Sequence, residues 1–356
     1  MTFDRRPFLL SMGCIFFTLA AQAQSASLPS NTQPMPKNPA DILAAAAKIN
    51  GLDSPEAKPW HIKIAYQVFD GEGKVGHTGT FEEWWAGPKK DKRVYTSSTF
   101  NRTEYVTEAG TFRVGDEVGP PLAESLVRQR LVSPMPGSED TDNAELQRRD
   151  NPFPNTKLTC IELVRKIDHQ LGPSPVGLFP LYCFDPSAPM LRFSGSFGLL
   201  NTLYKKVGML GGRYLGTDVS ISDTGKPFVD FHLAEGNLMT TVDESIFAPP
   251  ANAIALPEQS VTVEGKVLAG RKLNGSAPRY PAAAKSARIS GTVILSALIG
   301  EDGRIHELRI KSAPDVSLAL SAIEAVRDWT YAPYTLNGHP VEVSTEIRVM
   351  YRLSGG

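Results

Sequence analysis

Between about residue 60 and residue 235, apolar and polar positions exchange every second residue in short runs, the period of strands half-buried against a core. The clearest early case sets Ile62, Ile64, Tyr66 and Val68 against Lys63, Ala65 and Gln67. Glycines 71, 73, 76 and 79 turn the chain, and residues 80–86 return. Strand-like runs follow at 93–100, 103–107 and 111–114, then at 157–166, 181–184, 191–194, 202–207, 213–222 and 228–233. Gly, Pro, Asp and Asn separate them, as turns require. One predicted helix precedes this stretch and another interrupts it. The first, 39–49, has Asn38 placed to cap it, Pro39 in its first turn and Gly51 beyond its end. The second, 121–132, carries Leu122, Leu126 and Leu131. Residues 138–151 are polar and read as a surface excursion. Such a pattern predicts one large, mostly antiparallel sheet, curved or part-closed, with one or two helices against it.

Pro249, Pro250 and Pro257 mark a stretch without period, the best domain boundary in the chain. Beyond it the pattern is a short Ala-rich helix at 281–288, a strand at 292–299, a turn at Glu301-Asp302-Gly303 and a strand at 304–311. A helix at 316–329 follows, with Val316, Leu320, Ile323 and Val326 on one face. Last, Val341, Val343, Thr345, Ile347, Val349 and Tyr351 alternate strictly with Glu342, Ser344, Glu346, Arg348 and Met350, the cleanest strand of all. The predicted fold class is α+β: a large curved antiparallel β-sheet domain with one or two helices, then a small α-β-β-α-β domain. The predicted boundaries are 1–23 for a signal peptide, 24–57 for a leader and short helix, 58–248 for the β-rich domain, 249–265 for a linker and 266–356 for the tail domain.

Composition sharpens this picture. The 356 residues include 37 Lys+Arg and 38 Asp+Glu, so the basic surplus of a dedicated nucleic-acid binder is missing. The near-zero charge is a cancellation. Residues 266–356 carry 12 basic and 8 acidic side chains, net +4, and 1–23 carry +1, which leaves −6 for 24–265 to reach −1. A modestly basic tail on an acidic body fits an acidic peptide partner. No apolar run approaches the ~20 residues of a membrane span. Arg5 and Arg6, an apolar core at 8–21 and Ala21-Gln22-Ala23 together read as a cleavable export signal. Cleavage removes Cys14 and leaves Cys160 and Cys183, in an oxidising compartment either a disulfide or two separate buried thiols on adjacent strands.

Few motifs carry chemistry. Gly71 to Gly76 matches G-x-G-x-x-G, but strand-like sequence follows where a nucleotide site needs a helix, so it reads as a Gly-rich hairpin. No serine sits in G-x-S-x-G. The histidines at 61, 77, 169, 232, 306 and 339 form neither H-x-x-x-H nor H-E-x-x-H. No catalytic set, metal site or cofactor is predicted, and the protein is read as non-enzymatic. Glu82-Glu83 stands beside Trp84-Trp85, but adjacent strand residues point to opposite faces, so at most one of each can share a site. Trp60, Tyr66, Phe81, Trp84 and Trp85 either line an apolar cavity for a lipid or form core beneath the helices.

The tail resembles the C-terminal domain of TonB-type energy transducers. The residues that carry this are Pro278-x-Tyr280-Pro281, Ala284, Gly291-x-Val293, Asp302-Gly303, Ser312, Ala322 and Ala325-Val326. Trp329-x-Tyr331-x-Pro333, Asn337-Gly338-x-Pro340-Val341 and the closing Tyr351 complete the pattern. The resemblance implies periplasmic binding of outer-membrane receptors, or another envelope protein, partly by strand addition to an open sheet edge. It makes the last strand, with Val341, Val343, Thr345, Ile347, Val349 and Tyr351, the candidate docking edge, and Tyr280-Pro281 its neighbour. This chain departs from that family in its cleavable-type signal and its short linker. Residues 58–248 more weakly resemble periplasmic lipoprotein carriers of the LolA/LolB type, which implies an alternative role as a carrier of lipid or another hydrophobic ligand.

Overall fold

The computed structural model describes residues 35–169, 175–196, 200–257 and 260–353. The expected export signal lies outside the described residues. Helix α1 (Pro39–Ile49) begins at Asn38, whose side-chain oxygen accepts the Ala40 N–H at 2.9 Å, satisfying one of the amides a helix start leaves unpaired. A meander of five strands follows: β1 (Trp60–Phe69), β2 (Val75–Gly87), β3 (Lys90–Ser97), β4 (Asn101–Thr107) and β5 (Gly110–Gly115). The Gly-rich stretch is the β1–β2 hairpin, where the Asp70 carboxylate accepts the N–H groups of Glu72 and Lys74. Trp60, Ile62, Ile64, Tyr66 and Val68 all turn inward from β1 and pack in one core with α1 and α2 (Leu122–Val132). Each such side chain removed from water contributes on the order of 1.5–3 kcal/mol.

The chain continues through α3 (Ser138–Thr141), β6 (Glu145–Asp150), β7 (Thr159–Val164), β8 (Ile167–His169), β9 (Leu181–Phe184) and β10 (Leu191–Ser196). Then come β11 (Leu200–Leu210), β12 (Arg213–Asp223), β13 (Lys226–Leu238) and the two-residue β14 (Ile254–Ala255). The expected surface excursion at 138–151 contains α3 and β6. The β6 sequence, Glu-Leu-Gln-Arg-Arg-Asp, has no alternation to announce a strand, because it forms a charged outer edge of the sheet. Cys160 on β7 and Cys183 on β9 face each other across the ladder and are joined in a disulfide, which settles the two readings of that pair. Constraining the unfolded chain this way contributes roughly 3 kcal/mol on a loop-closure account.

The large sheet has thirteen antiparallel strands in the order β14-β5-β4-β3-β2-β1-β13-β12-β11-β10-β9-β7-β6. This corrects the expected curved or part-closed sheet. Its end strands, β14 and β6, do not pair, and the sheet is open and neither curled nor closed. The error has a physical source. Alternation reports which residues face a core and Gly or Pro reports where the chain reverses, but curling requires a particular stagger and closure requires end-to-end pairing, which neither signal contains.

The tail begins with β15 (Ser260–Thr262), α4 (Gly265–Ala269) and β16 (Lys272–Asn274). Its centre is α5 (Ala282–Ser286), β17 (Gly291–Ile299), β18 (Ile305–Asp315) and α6 (Val316–Val326). The short β19 (Thr330–Tyr331), the hairpin β20 (Thr335–Leu336) and β21 (His339–Pro340), and β22 (Glu342–Tyr351) complete it. Its five-stranded sheet runs β15-β22-β17-β18-β8. The turn before β18 uses Gly303 at φ +76°, where a Cβ would stand 2.0 Å from the Tyr331 carbonyl oxygen. The outermost strand, β8, comes from the β-rich part and pairs in parallel with β18, Ile167 opposite Ala313. Leu178 and Phe179, from the same connection, are buried in the tail's core. Strands as short as β8, β14 and β15 have too few residues to show a period, so sequence alone reads them as loop or linker.

Candidate partner-binding edge

The last strand is positioned by its own alternation. Val343, Thr345, Ile347, Val349 and Tyr351 are buried, and the apolar four join the core that contains α6; Val341, just before the strand, is buried too. Tyr280 meets Tyr351 edge-to-face, ring centroids 5.5 Å apart at 82°, and its hydroxyl donates to the Ile289 carbonyl. Pro281 is the N-cap of α5. The structure thus gathers the sequence-chosen positions around one strand, but buries the side chains chosen on the strand itself. What β22 offers outward is its other row, Ser344, Glu346, Arg348 and Met350, and its outer backbone. Strict alternation already contained that second row; choosing the apolar set selected the half that holds the sheet together.

Beside this edge lies a groove of about 980 Å³. Val263, Leu268, Ala269, Trp329 and Tyr331 contribute its apolar lining, and Lys266, Lys272, Lys311 and Arg348 stand on it against Glu264 and Glu346. Lys272 Nζ sits 3.4 Å from the centroid of the Trp329 ring, a cation over an aromatic face, and burial lowers its pKa. The Trp329 indole N–H donates to the Ser276 carbonyl at 2.9 Å, which holds the ring. A hydrogen bond from Lys311 keeps the Glu346 carboxyl below its ordinary range. At the head of the strand, burial pushes Glu342 up to about 7; Glu307 and Glu301 add to the rise and His306 opposes it. An apolar trough, a backbone edge and a surplus of cations can hold an extended segment bearing acidic side chains.

Elsewhere the sheet separates the Glu82-Glu83 and Trp84-Trp85 pairs. Glu82 meets His61 at 2.8 Å and Trp84 stacks on that ring at 4.6 Å, while Trp85 stacks on Trp60 at 5.9 Å. Glu83, wholly buried, takes Arg128 of α2 at 2.7 Å, and burial pushes its carboxyl up to about 7 against the pull of that cation. On the same inner face Arg93 pairs with Asp91 at 2.6 Å and Arg102 with Glu104 at 2.8 Å. Trp60, Tyr66 and Phe81 belong to the core beneath the helices. Among the described residues, no group of three or more His, Cys, Asp or Glu side chains is placed to hold a metal ion. No helix among them is long and apolar enough to cross a membrane.

Comparison with known proteins agrees with the tail's geometry. Residues 276–353 match the family described as the Gram-negative bacterial TonB protein C-terminal, a non-catalytic kind of domain. Protein TonB of Vibrio cholerae serotype O1 is 29% identical over 108 residues, 30% of this chain and 43% of that protein. The chain therefore spans less than half the length of that relative. Among solved structures, a LolA superfamily protein from Nitrosomonas europaea is 13% identical, with 60% of this chain and 99% of that one covered at a TM-score of 0.39. A putative outer membrane lipoprotein-sorting protein domain from Vibrio parahaemolyticus is 10% identical, with 59% and 97% covered at 0.36. The chain thus has a TonB-like C-terminal domain.

Proposed function

We propose that this chain is a periplasmic, non-enzymatic envelope protein whose TonB-like domain holds an extended segment of an outer-membrane receptor along β22. The observation that carries this reading is the edge itself. Past Ser344, no strand among the described residues pairs with β22 on the side away from β17. That stretch of backbone runs beside a groove with apolar walls and a surplus of cations. An incoming strand would gain main-chain hydrogen bonds there, and its alternate side chains would enter the groove. The other role, lipid carriage in the β-rich part, has less support: its aromatic first strands are packed under helices, and the neighbouring inner face carries Glu83, Asp91, Arg93, Arg102 and Glu104.

Photo-crosslinking in cells tests the proposal. A crosslinking residue at Met350, 57% exposed on the outward row of β22, should form an adduct with the periplasmic segment of an outer-membrane receptor. A matched probe at Leu203 in the β-rich part, 49% exposed, should not. No receptor adduct from position 350, or equal yield from both positions, overturns the reading.

A further inference from the structure

Resting on the reading of β22 as the partner-binding edge, we propose that residues 260–269 are a built-in competitor for that edge, a clip that an incoming strand must displace. The clip already does what a bound peptide would do. Ser260, Val261 and Thr262 pair in parallel with Glu342, Val343 and Ser344. The Val263 N–H donates to the Ser344 carbonyl at 3.0 Å, and the Thr345 hydroxyl donates to the Val263 carbonyl at 2.7 Å. Gly265 then passes so close to β22 that a Cβ would stand 2.1 Å from the Glu346 carbonyl oxygen. Only glycine allows that approach. Leu268 enters the tail's core and anchors the far end.

The clip is also weakly held. Its strand has three residues and α4 has five, with no side-chain bond at its N-cap. Val267 is 46% exposed, and Val261 and Val263 are only partly covered. Segments with so little buried area open locally at far lower cost than the ladders beneath them. An uncovered edge invites pairing with any extended chain. A short internal strand therefore blocks casual partners and yields to one that covers more of the edge, since β22 continues for seven residues past Ser344.

The probe is a fluorescent synthetic peptide with the sequence of residues 257–270, titrated into the full-length chain. In the unaltered protein the resident clip competes with it. Gly265→Ala evicts the resident copy by collision with Glu346, whereas the peptide keeps its glycine. Val263→Pro, a second variant, removes the donor to Ser344. Each should bind the peptide roughly tenfold more tightly than the unaltered chain by anisotropy, a difference of about 1.4 kcal/mol. Hydrogen exchange on the unaltered chain should show the Val263 amide opening much faster than the amides of β17. Equal affinity for the unaltered chain and a folded variant overturns the proposal. So does protection of Val263 as long-lived as that of β17, a result that needs no variant. Tighter peptide binding without receptor adducts at position 350 refutes the receptor reading and leaves the clip; the reverse pattern refutes the clip alone.

Discussion

Glu342 opens β22 near Glu307, which accepts from Gln129 of α2 at 2.7 Å, so it sits where the tail meets the β-rich part. Burial is the main reason its carboxyl titrates near 7 instead of at the ordinary carboxylate value of 4.5. The sign of the consequence follows. A carboxyl whose folded pKa is raised binds its proton more tightly in the native state, so its contribution is fully present below the unfolded pKa. That contribution is lost as pH rises from about 4.5 to about 7. Glu342→Gln removes the titration and should therefore stabilise the protein by on the order of 2 kcal/mol near pH 8, with little effect near pH 4. Thermal melts of both proteins across that range check it. Parallel melting temperatures at both ends would exclude ionisation of Glu342 as a cost to folding. Sequence alone marks Glu342 only as the polar partner of Val341 and Val343; the charges that act on it, His306, Glu307 and Glu301, are brought beside it by a different strand and a turn.

At the scale of the element, β22 shows how far alternation can be trusted. The period identified the strand, its core-facing row and, with the Ala-rich and α6 segments, the α-β-β-α-β order of the tail, because each element is long enough to repeat its pattern. Alternation does not say what lies against the strand's backbone. The clip at 260–269 has three strand residues and no repeat, so sequence alone places 260–265 in the linker and 266–269 at the start of the tail without an element, and half of the groove is not legible from it. The division of β22 into two rows has a direct stability test. Ile347→Ala removes buried methylenes from the tail's core and should cost about 2–4 kcal/mol, whereas Arg348→Ala on the outward row should change stability by less than about 0.5 kcal/mol. Urea unfolding of the two variants decides it; similar costs would mean the rows are misassigned. The same reasoning makes Ile347→Pro a poor probe of partner binding, since a proline inside a paired, buried strand disrupts the fold by about 3 kcal/mol or more before any partner is met.

The whole molecule is held together across the boundary that its sequence draws. The prolines after residue 248 do mark a change of pattern, but the small sheet takes its outer strand β8 from the β-rich part, and β14 from the expected linker pairs with β5. Arg309 reaches Asp140 at 2.7 Å, Arg327 reaches Asp223 at 2.6 Å and Arg102 reaches Glu301 at 3.4 Å, each pair crossing between the two parts. None of these partners is near the other in sequence, and single arginines and carboxylates carry no period, so the seam was not legible beforehand. Phe179 is its most telling residue: it lies two residues before β9, yet is 2% exposed within the tail's core. Its burial implies that the two parts lose their structure together. Calorimetry of the intact, disulfide-bonded chain should then show one transition with equal calorimetric and van't Hoff enthalpies. Phe179→Ala should cost about 3–5 kcal/mol and raise hydrogen exchange in β17 and β18, more than a hundred residues away along the chain. If the intact chain instead melts in two separate steps, and Phe179→Ala shifts only the one belonging to the β-rich strands, the tail is an independent unit and the shared strand β8 contributes little to holding it.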